Sequence, residues 1–521
     1  MDELEELIKE RQYDLAIEKL RSMISNENNP TLKVQLAELL LSTDQKDEGR
    51  SILQEIKSLK ETKDTIGAIS KAIILELSPL VRSDDYNRGI ETLEQKKDLF
   101  EKLDPVDRKQ KRSLAGYNNL MAMFYAKKGD YSTSSKYAQY AIQYFNELED
   151  FTQLTSLTFN LGSFFGHDHP LQAIEFLKQC EVSSKQGDNE LGIGYANMEL
   201  GAIYQRLGYM EEALSCFGIQ FGIFQKSDDD EYRSWSFSDL GNGKRGVGKL
   251  GESLDLLNQG LMLYETGNDA RTLANHLTYL AITTRLIGDF EKSIEYDTRA
   301  LELYESLSLD SYVMKVKGSL AETQYLLGNL QESKDLINSI EETKLDQYNL
   351  LRLIHTKVKY KIRINESLTD LSQQLNSLKI EEHQKLNLDL KGLIDLLIKF
   401  RQSGQIKESI VNLIARPNYS DFEIYRISML WRMIVYLNSR YGNTLEILDQ
   451  FIELLNKTGI SNLSKIGTNL KTVILGVLDK TTTQLTSNIN DPEFLKLANK
   501  ALEFHSMETA QQLIFHLILT F

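Results

Sequence analysis

A glycine recurs every forty residues through the middle of this chain, and the residues around it recur with it. The four glycines are Gly208, Gly248, Gly288 and Gly328. Five residues after each there is a small residue, namely Ala213, Ser253, Ser293 and Ser333. Seven residues before each there is another, preceded by leucine: Gly201, Gly241, Ala281 and Ala321. A fixed period of this length is typical of proteins built from stacked repeat units.

The spacing inside each unit predicts two helices joined by a short turn at the glycine. Small residues at the two fixed positions let the paired helices approach closely, while leucines and aromatic residues fill the groove between units. Proline interrupts helices, and the chain has only 6 prolines in 521 residues. We therefore expect an all-α fold of antiparallel helix pairs.

One unit carries a fuller pattern, from which a family resemblance follows. Its pattern residues are Leu200, Gly201, Tyr204, Gly208, Ala213 and Phe217. These positions resemble the tetratricopeptide repeat family, whose usual period is about 34 residues. The period of 40 is similar to the long repeats of kinesin light chains, polarity adaptors and the sensor arms of prokaryotic transcription activators. The resemblance implies a right-handed superhelical α-solenoid whose concave groove binds peptides or partner proteins.

The clarity of the repeat divides the chain into three predicted regions. Residues 1–104 are expected to form irregular helical hairpins, residues 105–345 about six regular units, and residues 346–521 divergent helical pairs with a C-terminal cap. In the last region Gly404 and Ser409 keep the gap of five, and Gly442 follows 38 residues after Gly404. The apolar end Leu513–Phe521 is expected either to fold back on itself or to dock on another chain, for example by self-association.

A glycine-rich stretch inside one of these units looks like a nucleotide-binding loop. Gly243–Lys249 matches G-x-x-x-x-G-K, but a P-loop follows a strand and continues with Ser or Thr, whereas Leu250 follows here. We predict a helix end and a turn instead. Gly241, Gly243 and Gly246 then share one helix, where glycine is unfavourable. Either they reflect drift or a kink, or they mark a hinge or the close approach of a ligand.

Few side chains suggest chemistry, and we expect no enzymatic activity, no metal and no cofactor. His167 and His169 flank Asp168 in a predicted turn, which we interpret as solvated rather than metal-binding. The two cysteines, Cys180 and Cys216, are expected to be inert core residues.

The overall charge limits the partners and the compartment. The chain has 60 basic and 75 acidic residues, a formal net charge of −15, which opposes general affinity for nucleic acid or anionic membranes. It has no apolar run of roughly 18–20 residues, the length that spans a bilayer. With two cysteines and an acidic N-terminus, the sequence predicts a cytoplasmic protein.

The resemblance also implies which side chains face the groove. In that family these are the second, fifth, ninth, twelfth and thirteenth residues of each first helix. Carried over to the units that begin at 194, 234, 274 and 314, the predicted peptide-binding residues are Tyr195, Met198, Gln205, Arg206, Trp235, Ser238, Asn242, Arg245, Asn275, Thr278, Arg285, Lys315 and Tyr325. The same positions include Ala202, Gly246, Ile282, Leu286, Gly318, Glu322 and Leu326.

Three of these residues form what we term the arginine row: Arg206, Arg245 and Arg285. Two interpretations remain open, since the arginines can bind acidic groups of a ligand or pair with acids on adjacent helices. We predict a non-catalytic protein- or peptide-binding scaffold or adaptor. The alternative is a ligand- or peptide-responsive regulator; an RNA-binding repeat protein is a third interpretation, opposed by the isoelectric point of about 5.2.

Overall fold

The structure, a computed structural model, describes residues 2–27, 29–265, 269–403, 421–437, 441–480, 485 and 491–521. Its elements are 27 α-helices and two short 3₁₀ helices, and these residues form no strand. The predicted all-α fold of antiparallel helix pairs is therefore confirmed for the described part of the chain. None of the helices found there has both the length and the apolar character that a membrane crossing needs.

Contacts divide the chain into two compact units, Met1–Glu199 and Leu200–Phe521. The predicted region boundaries at 104/105 and 345/346 stay predictions. The helices that begin in the first unit are α1 Asp2–Lys9, α2 Tyr13–Asn26, α3 Pro30–Leu41, α4 Lys46–Lys57, α5 Ile66–Leu77, α6 Tyr86–Gln95, α7 Lys97–Glu101, α8 Arg108–Lys128, α9 Tyr131–Leu148, α10 Phe151–Phe165, α11 Pro170–Gln186 and α12 Glu190–Leu207.

The second unit holds the more regular helix pairs and the C-terminal helices. Its helices are α13 Met210–Phe224, α14 Asp230–Gly246, α15 Leu250–Tyr264, α16 Ala270–Ile287, α17 Phe290–Ser306, α18 Asp310–Leu327, α19 Leu330–Asn338, α20 Gln347–Arg363, α21 Thr369–Ser377, α22 Lys385–Ser403, α23 Phe422–Leu437, α24 Tyr441–Asn456, α25 Ser461–Leu478, α26 Pro492–Phe504 and α27 Met507–Thr520. The 3₁₀ helices are Ser78–Arg82 in the first unit and Glu342–Lys344 in the second.

The turn glycines of the repeat have the left-handed backbone that ends a helix. Their φ angles lie between +84° and +95° at Gly208, Gly248, Gly288 and Gly328. A side chain at such a φ is strained, so glycine suits the position. After α20 the corresponding turn residue is Asn365, with φ +60°. Asparagine tolerates this conformation better than most residues.

The small residues of the repeat are points of close helix contact, as predicted. A Cβ atom added to Gly162 or Gly201 would overlap the side chain of Leu177 or Phe217 on the paired helix. At the second small position, Ser333 Oγ donates a hydrogen bond to the Ala321 carbonyl at 2.8 Å. The repeat therefore encodes the distance between the two helices of a pair.

Three glycines of α14 pack against neighbouring helices in the same way. A Cβ would lie 2.8 Å from Leu257 at Gly241 and 2.9 Å from Phe217 at Gly243. At Gly246 it would lie 3.0 Å from Met210 Sδ. Close packing on both sides of α14 thus accounts for these glycines, and the P-loop-like stretch is a helix end and a turn.

The C-terminal helices share one hydrophobic core with residues of the repeat array. Leu250 and Leu286 belong to the same cluster as residues of α20 and of α22–α27. The apolar face of α27 lies in this core, with Leu513 and Leu517 at most 1% exposed. The apolar end therefore folds back within the chain; self-association stays a prediction. Gly404 and Ser409 lie outside the described residues.

Candidate functional site

We define the first-helix face as the side chains at the second, fifth, ninth, twelfth and thirteenth residues of each repeat unit, counted from the unit starts at 194, 234, 274 and 314. On α14, α16 and α18 these are the residues that the sequence singled out. Counting back from Asn365 as a turn residue extends the face to α20, where it contains Arg352, His355, Lys359, Ile362 and Arg363. The sequence analysis missed them because asparagine replaces glycine and lies 37 residues after Gly328.

Three predicted residues meet around Arg245. Its guanidinium donates to Asn242 Oδ1 at 2.9 Å and to Asp421 Oδ2 at 3.0 Å. Asn242 in turn donates to Gln205 Oε1 at 2.8 Å. The Arg245 side chain is 12% exposed and that of Asp421 is 6% exposed, so this is a mostly buried ion pair.

Arg285 belongs to a second group of charges. It donates to the Ser319 hydroxyl at 2.7 Å and lies 3.4 Å from Glu322. Arg352 connects Glu322 to Glu423, at 2.6 Å and 2.7 Å respectively. Lys359 Nζ is 3.8 Å from Glu322. We term Arg285, Glu322, Arg352, Lys359 and Glu423 the buried charge cluster.

In the buried charge cluster, positively charged side chains lie beside each of the two carboxylates. Burial opposes ionisation of Glu322, but Arg352, Arg285 and Lys359 outweigh it and hold the pKa of this carboxyl below its usual value. Burial likewise opposes ionisation of Glu423, yet Arg352 lowers its pKa. For Lys359 burial prevails over the two glutamates and lowers the pKa of the amine.

At least two members of the arginine row are therefore paired inside the chain. Arg245 pairs with Asp421 and Arg285 with Glu322. Arg206, the third member, is exposed on α12. For Arg245 and Arg285 the structure favours the interpretation of internal pairing.

Ser238, another predicted groove residue, belongs to a buried hydrogen-bond chain. Its hydroxyl lies 2.6 Å from His276 Nδ1 and 2.9 Å from the Tyr264 hydroxyl. His276 Nε2 is 2.7 Å from the Leu257 carbonyl. Burial lowers the pKa of His276 to about 4, which keeps the imidazole neutral at pH 7. These hydrogen bonds link α14, α15 and α16.

The other predicted residues of these units are partly or wholly buried. Thr278 donates to the Ala274 carbonyl at 2.9 Å, within its own helix. Asn275 accepts a hydrogen bond from the Tyr304 hydroxyl at 2.7 Å. Tyr325 is 2% exposed. Lys315 and Trp235 are half-buried, and so are Tyr195 and Met198 on α12.

The C-terminal part of the chain covers the first-helix face around α14. Phe422 packs directly on the turn at Gly248, where a Cβ would overlap its ring. Nearby, the Gly251 amide donates to the Thr458 carbonyl at 2.9 Å. Ile282, at a predicted groove position, packs against the same C-terminal core. No periodic signal in the sequence marks these contacts, because Asp421, Phe422 and Thr458 lie far along the sequence from the repeat residues that they contact.

The histidines beside Asp168 lie in an exposed turn, as the sequence predicted. His167 Nδ1 lies 2.8 Å from Asp168, which also accepts a hydrogen bond from the Tyr131 hydroxyl at 2.7 Å. In the described ranges no three His, Cys, Asp or Glu side chains are placed to share a metal ion. Cys180 is buried, and burial raises the pKa of its thiol to about 11.

Among known proteins, only solved structures were found to be similar to this chain. No protein family and no curated protein matches the sequence. Aspartyl phosphate phosphatase F from Bacillus subtilis is 12% identical with a TM-score of 0.45, over 73% of this chain and 96% of that one. The apo quorum sensor NprR from B. thuringiensis is 14% identical with a TM-score of 0.40, over 83% and 100%. Similarity at this level is too low to transfer a function.

Proposed function

We propose that this chain is a non-catalytic scaffold that binds a partner protein or peptide through the first-helix face of its repeats. The observation that carries the proposal is the contact of Asp421 and Glu423 with Arg245 and Arg352. The two acidic residues belong to a segment remote in sequence from α14. Its contacts are of the kind that a separate acidic segment would make.

The chemistry of the face suits such a ligand. Arginine presents a planar fork of donors that matches a carboxylate, and a guanidinium is more weakly hydrated than an ammonium. Amide side chains such as Asn242 and Gln205 hold the arginine in one orientation, so less conformational entropy is lost on binding. Several such positions along neighbouring helices would hold an extended or helical segment.

Part of the face is exposed. Ala202 and Arg206 on α12, the ninth and thirteenth residues of the repeat unit that begins at 194, are both exposed. These positions correspond to Asn242 and Gly246 on α14, one unit later. We infer that this end of the face is where a partner first makes contact.

The test is a capture experiment with the full-length chain and an extract of its native cells. The variant Ala202→Arg/Arg206→Glu changes the shape and charge of the exposed end without entering the core. We expect it to recover at least about tenfold less of the specific partner, because a clash and a repelling charge together oppose binding. Quantitative mass spectrometry measures the recovery.

The matched control is Met262→Arg, which adds a charge on α15, on the second helix of a pair. Met262 is 73% exposed, so its replacement leaves the core intact. The control should recover the partner as the unmodified chain does. If both variants recover it undiminished, the first-helix face is not the binding surface.

A further inference from the structure

We infer that the partner segment carries two carboxylates flanking an aromatic residue, and that the chain's own Asp421–Glu423 competes with it. This inference rests on the proposed function and adds to it the chemistry of the partner and a built-in competitor. It follows from how three consecutive residues at the start of α23 fit the array.

The aromatic position is set by a glycine. Gly248 has φ +84°, and the Phe422 ring lies where its Cβ would be. Phe422 is 2% exposed and shares a core with Leu250 and Leu286. A flat aromatic side chain therefore fits between the turn and neighbouring apolar residues.

The two carboxylates on either side reach separate arginines. Asp421 pairs with Arg245 on α14, and Glu423 pairs with Arg352 on α20. Asp421 also caps its own helix, since its Oδ1 accepts a hydrogen bond from the Glu423 amide at 3.0 Å. The face thus distinguishes a sequence of the form acid–aromatic–acid at a helix start from an acidic segment of another pattern.

Competition needs only the first turn of α23 to open. The residues at either end of a helix open more readily than its middle, and the rest of α23 is held by its own core contacts. Tyr425 is half-buried, and from Arg426 onward most residues pack inside the C-terminal core. A partner segment could therefore take the place of Asp421–Glu423, with its own aromatic side chain replacing the Phe422 ring, while the core contacts from Arg426 onward stay in place.

The two members of the Arg245–Asp421 pair then have opposite effects on binding. Asp421→Asn keeps the helix cap, because asparagine also accepts the amide hydrogen bond, but it removes the charge. It leaves the mostly buried Arg245 without its carboxylate, so a carboxylate from another segment is favoured. Replacing Arg245 as well removes the guanidinium that would attract the partner's carboxylate.

The experiment uses the full-length chain and a labelled peptide with the sequence of residues 417–428, PNYSDFEIYRIS. A second peptide, PNYSNFQIYRIS, has the same shape without the two carboxylates. Fluorescence polarisation should give at least about tenfold tighter binding of the first peptide to Asp421→Asn than to the unmodified chain. Adding Arg245→Gln should abolish the gain, and the second peptide should show none.

The control variant is Glu252→Gln, which breaks the exposed Lys244–Glu252 pair on the same helices, and its affinity should stay within about twofold of the unmodified chain. Circular dichroism checks that each variant is folded. Should Asp421→Asn lose helicity, Glu423→Gln tests the same idea through Arg352.

Equal affinity of the unmodified chain and the folded Asp421→Asn variant would overturn the competition. Equal affinity for the two peptides would overturn the chemistry assigned to the partner. Neither result bears on capture through Ala202 and Arg206, which tests the proposed function separately.

Discussion

Gly248 is the residue whose side chain, or lack of one, matters in two ways. Its left-handed backbone ends α14, and its missing Cβ leaves room for Phe422. Gly288 has the same kind of backbone, with φ +95°, but among the described residues no atom beyond its chain neighbours lies within 4 Å of its Cβ position. The two glycines separate backbone strain from packing.

We predict that Gly248→Ala destabilises the chain more than Gly288→Ala does. Both substitutions place alanine in the left-handed region, at a cost of about 1–2 kcal/mol. Gly248→Ala also forces a methyl group against the buried Phe422 ring, which adds about 1–3 kcal/mol. Urea denaturation followed by circular dichroism measures the two midpoints. Coincident midpoints would mean that Phe422 does not pack on this turn.

Single residues also mark the limit of the sequence analysis at the candidate site. Ser238 and Thr278 were placed on the groove by their position in the repeat, and the structure has both buried and hydrogen-bonded inside the chain. Their roles as ligand contacts stay predictions. A serine in a groove and a serine in a buried network look alike in one sequence, because the difference lies in neighbours from other helices.

The three glycines of α14 are explained by the helices that pack against it. Three glycines in a helix interior are unfavourable by roughly 1 kcal/mol each relative to alanine. Here they let α14 lie close to α13 and α15, since a Cβ at Gly243 would be 2.9 Å from Phe217. Gly318 on α18 is the opposite case, with nothing within 4 Å of its Cβ position.

We predict opposite signs for alanine at these two positions. Gly318→Ala should stabilise the chain by about 0.5–1 kcal/mol, because it improves helix propensity in open space. Gly243→Ala should destabilise it by about 1–2 kcal/mol, because the clash with a buried ring outweighs the same gain in propensity. Thermal and urea unfolding of the two variants beside the parent provide the measurement. A stabilised Gly243→Ala would contradict the close packing of α13 and α14.

Within the second unit, the buried charge cluster connects the repeat array to the C-terminal helices. Arg352 pairs with both Glu322 of α18 and Glu423 of α23, and its side chain is 15% exposed. Removing one member of such a group leaves the others buried without compensation. An exposed pair such as Arg299–Glu265, with side chains 39% and 50% exposed, has water as an alternative partner.

We predict that Arg352→Met lowers the free energy of unfolding by about 3–5 kcal/mol. The matched variant Arg299→Met should change it by less than about 1 kcal/mol. Hydrogen exchange should become faster in both α20 and α23 of the first variant, because the arginine connects them through Glu423. A loss of protection confined to α20 would speak against this coupling.

Periodicity predicted the helix pairs, their turns and their close contacts, because each of these depends on residues within about forty positions of one another. A left-handed turn needs glycine, a close helix contact needs a small residue, and both requirements recur with the unit. The same local rule did not identify the face positions of α20, because Asn365 replaces the turn glycine after this helix and shifts the spacing.

Tertiary structure alone decided what the first-helix face contacts. Arg245 and Asp421 are 176 residues apart, and an arginine in a repeat is equally compatible with a ligand, a neighbouring helix or a distant segment. The outcome depended on where the C-terminal helices bury their apolar surface, and burial of such surface is non-directional and carries no spacing that one sequence reveals. Once Phe422 and its neighbours joined the core beside Gly248, the adjacent carboxylates met the arginines.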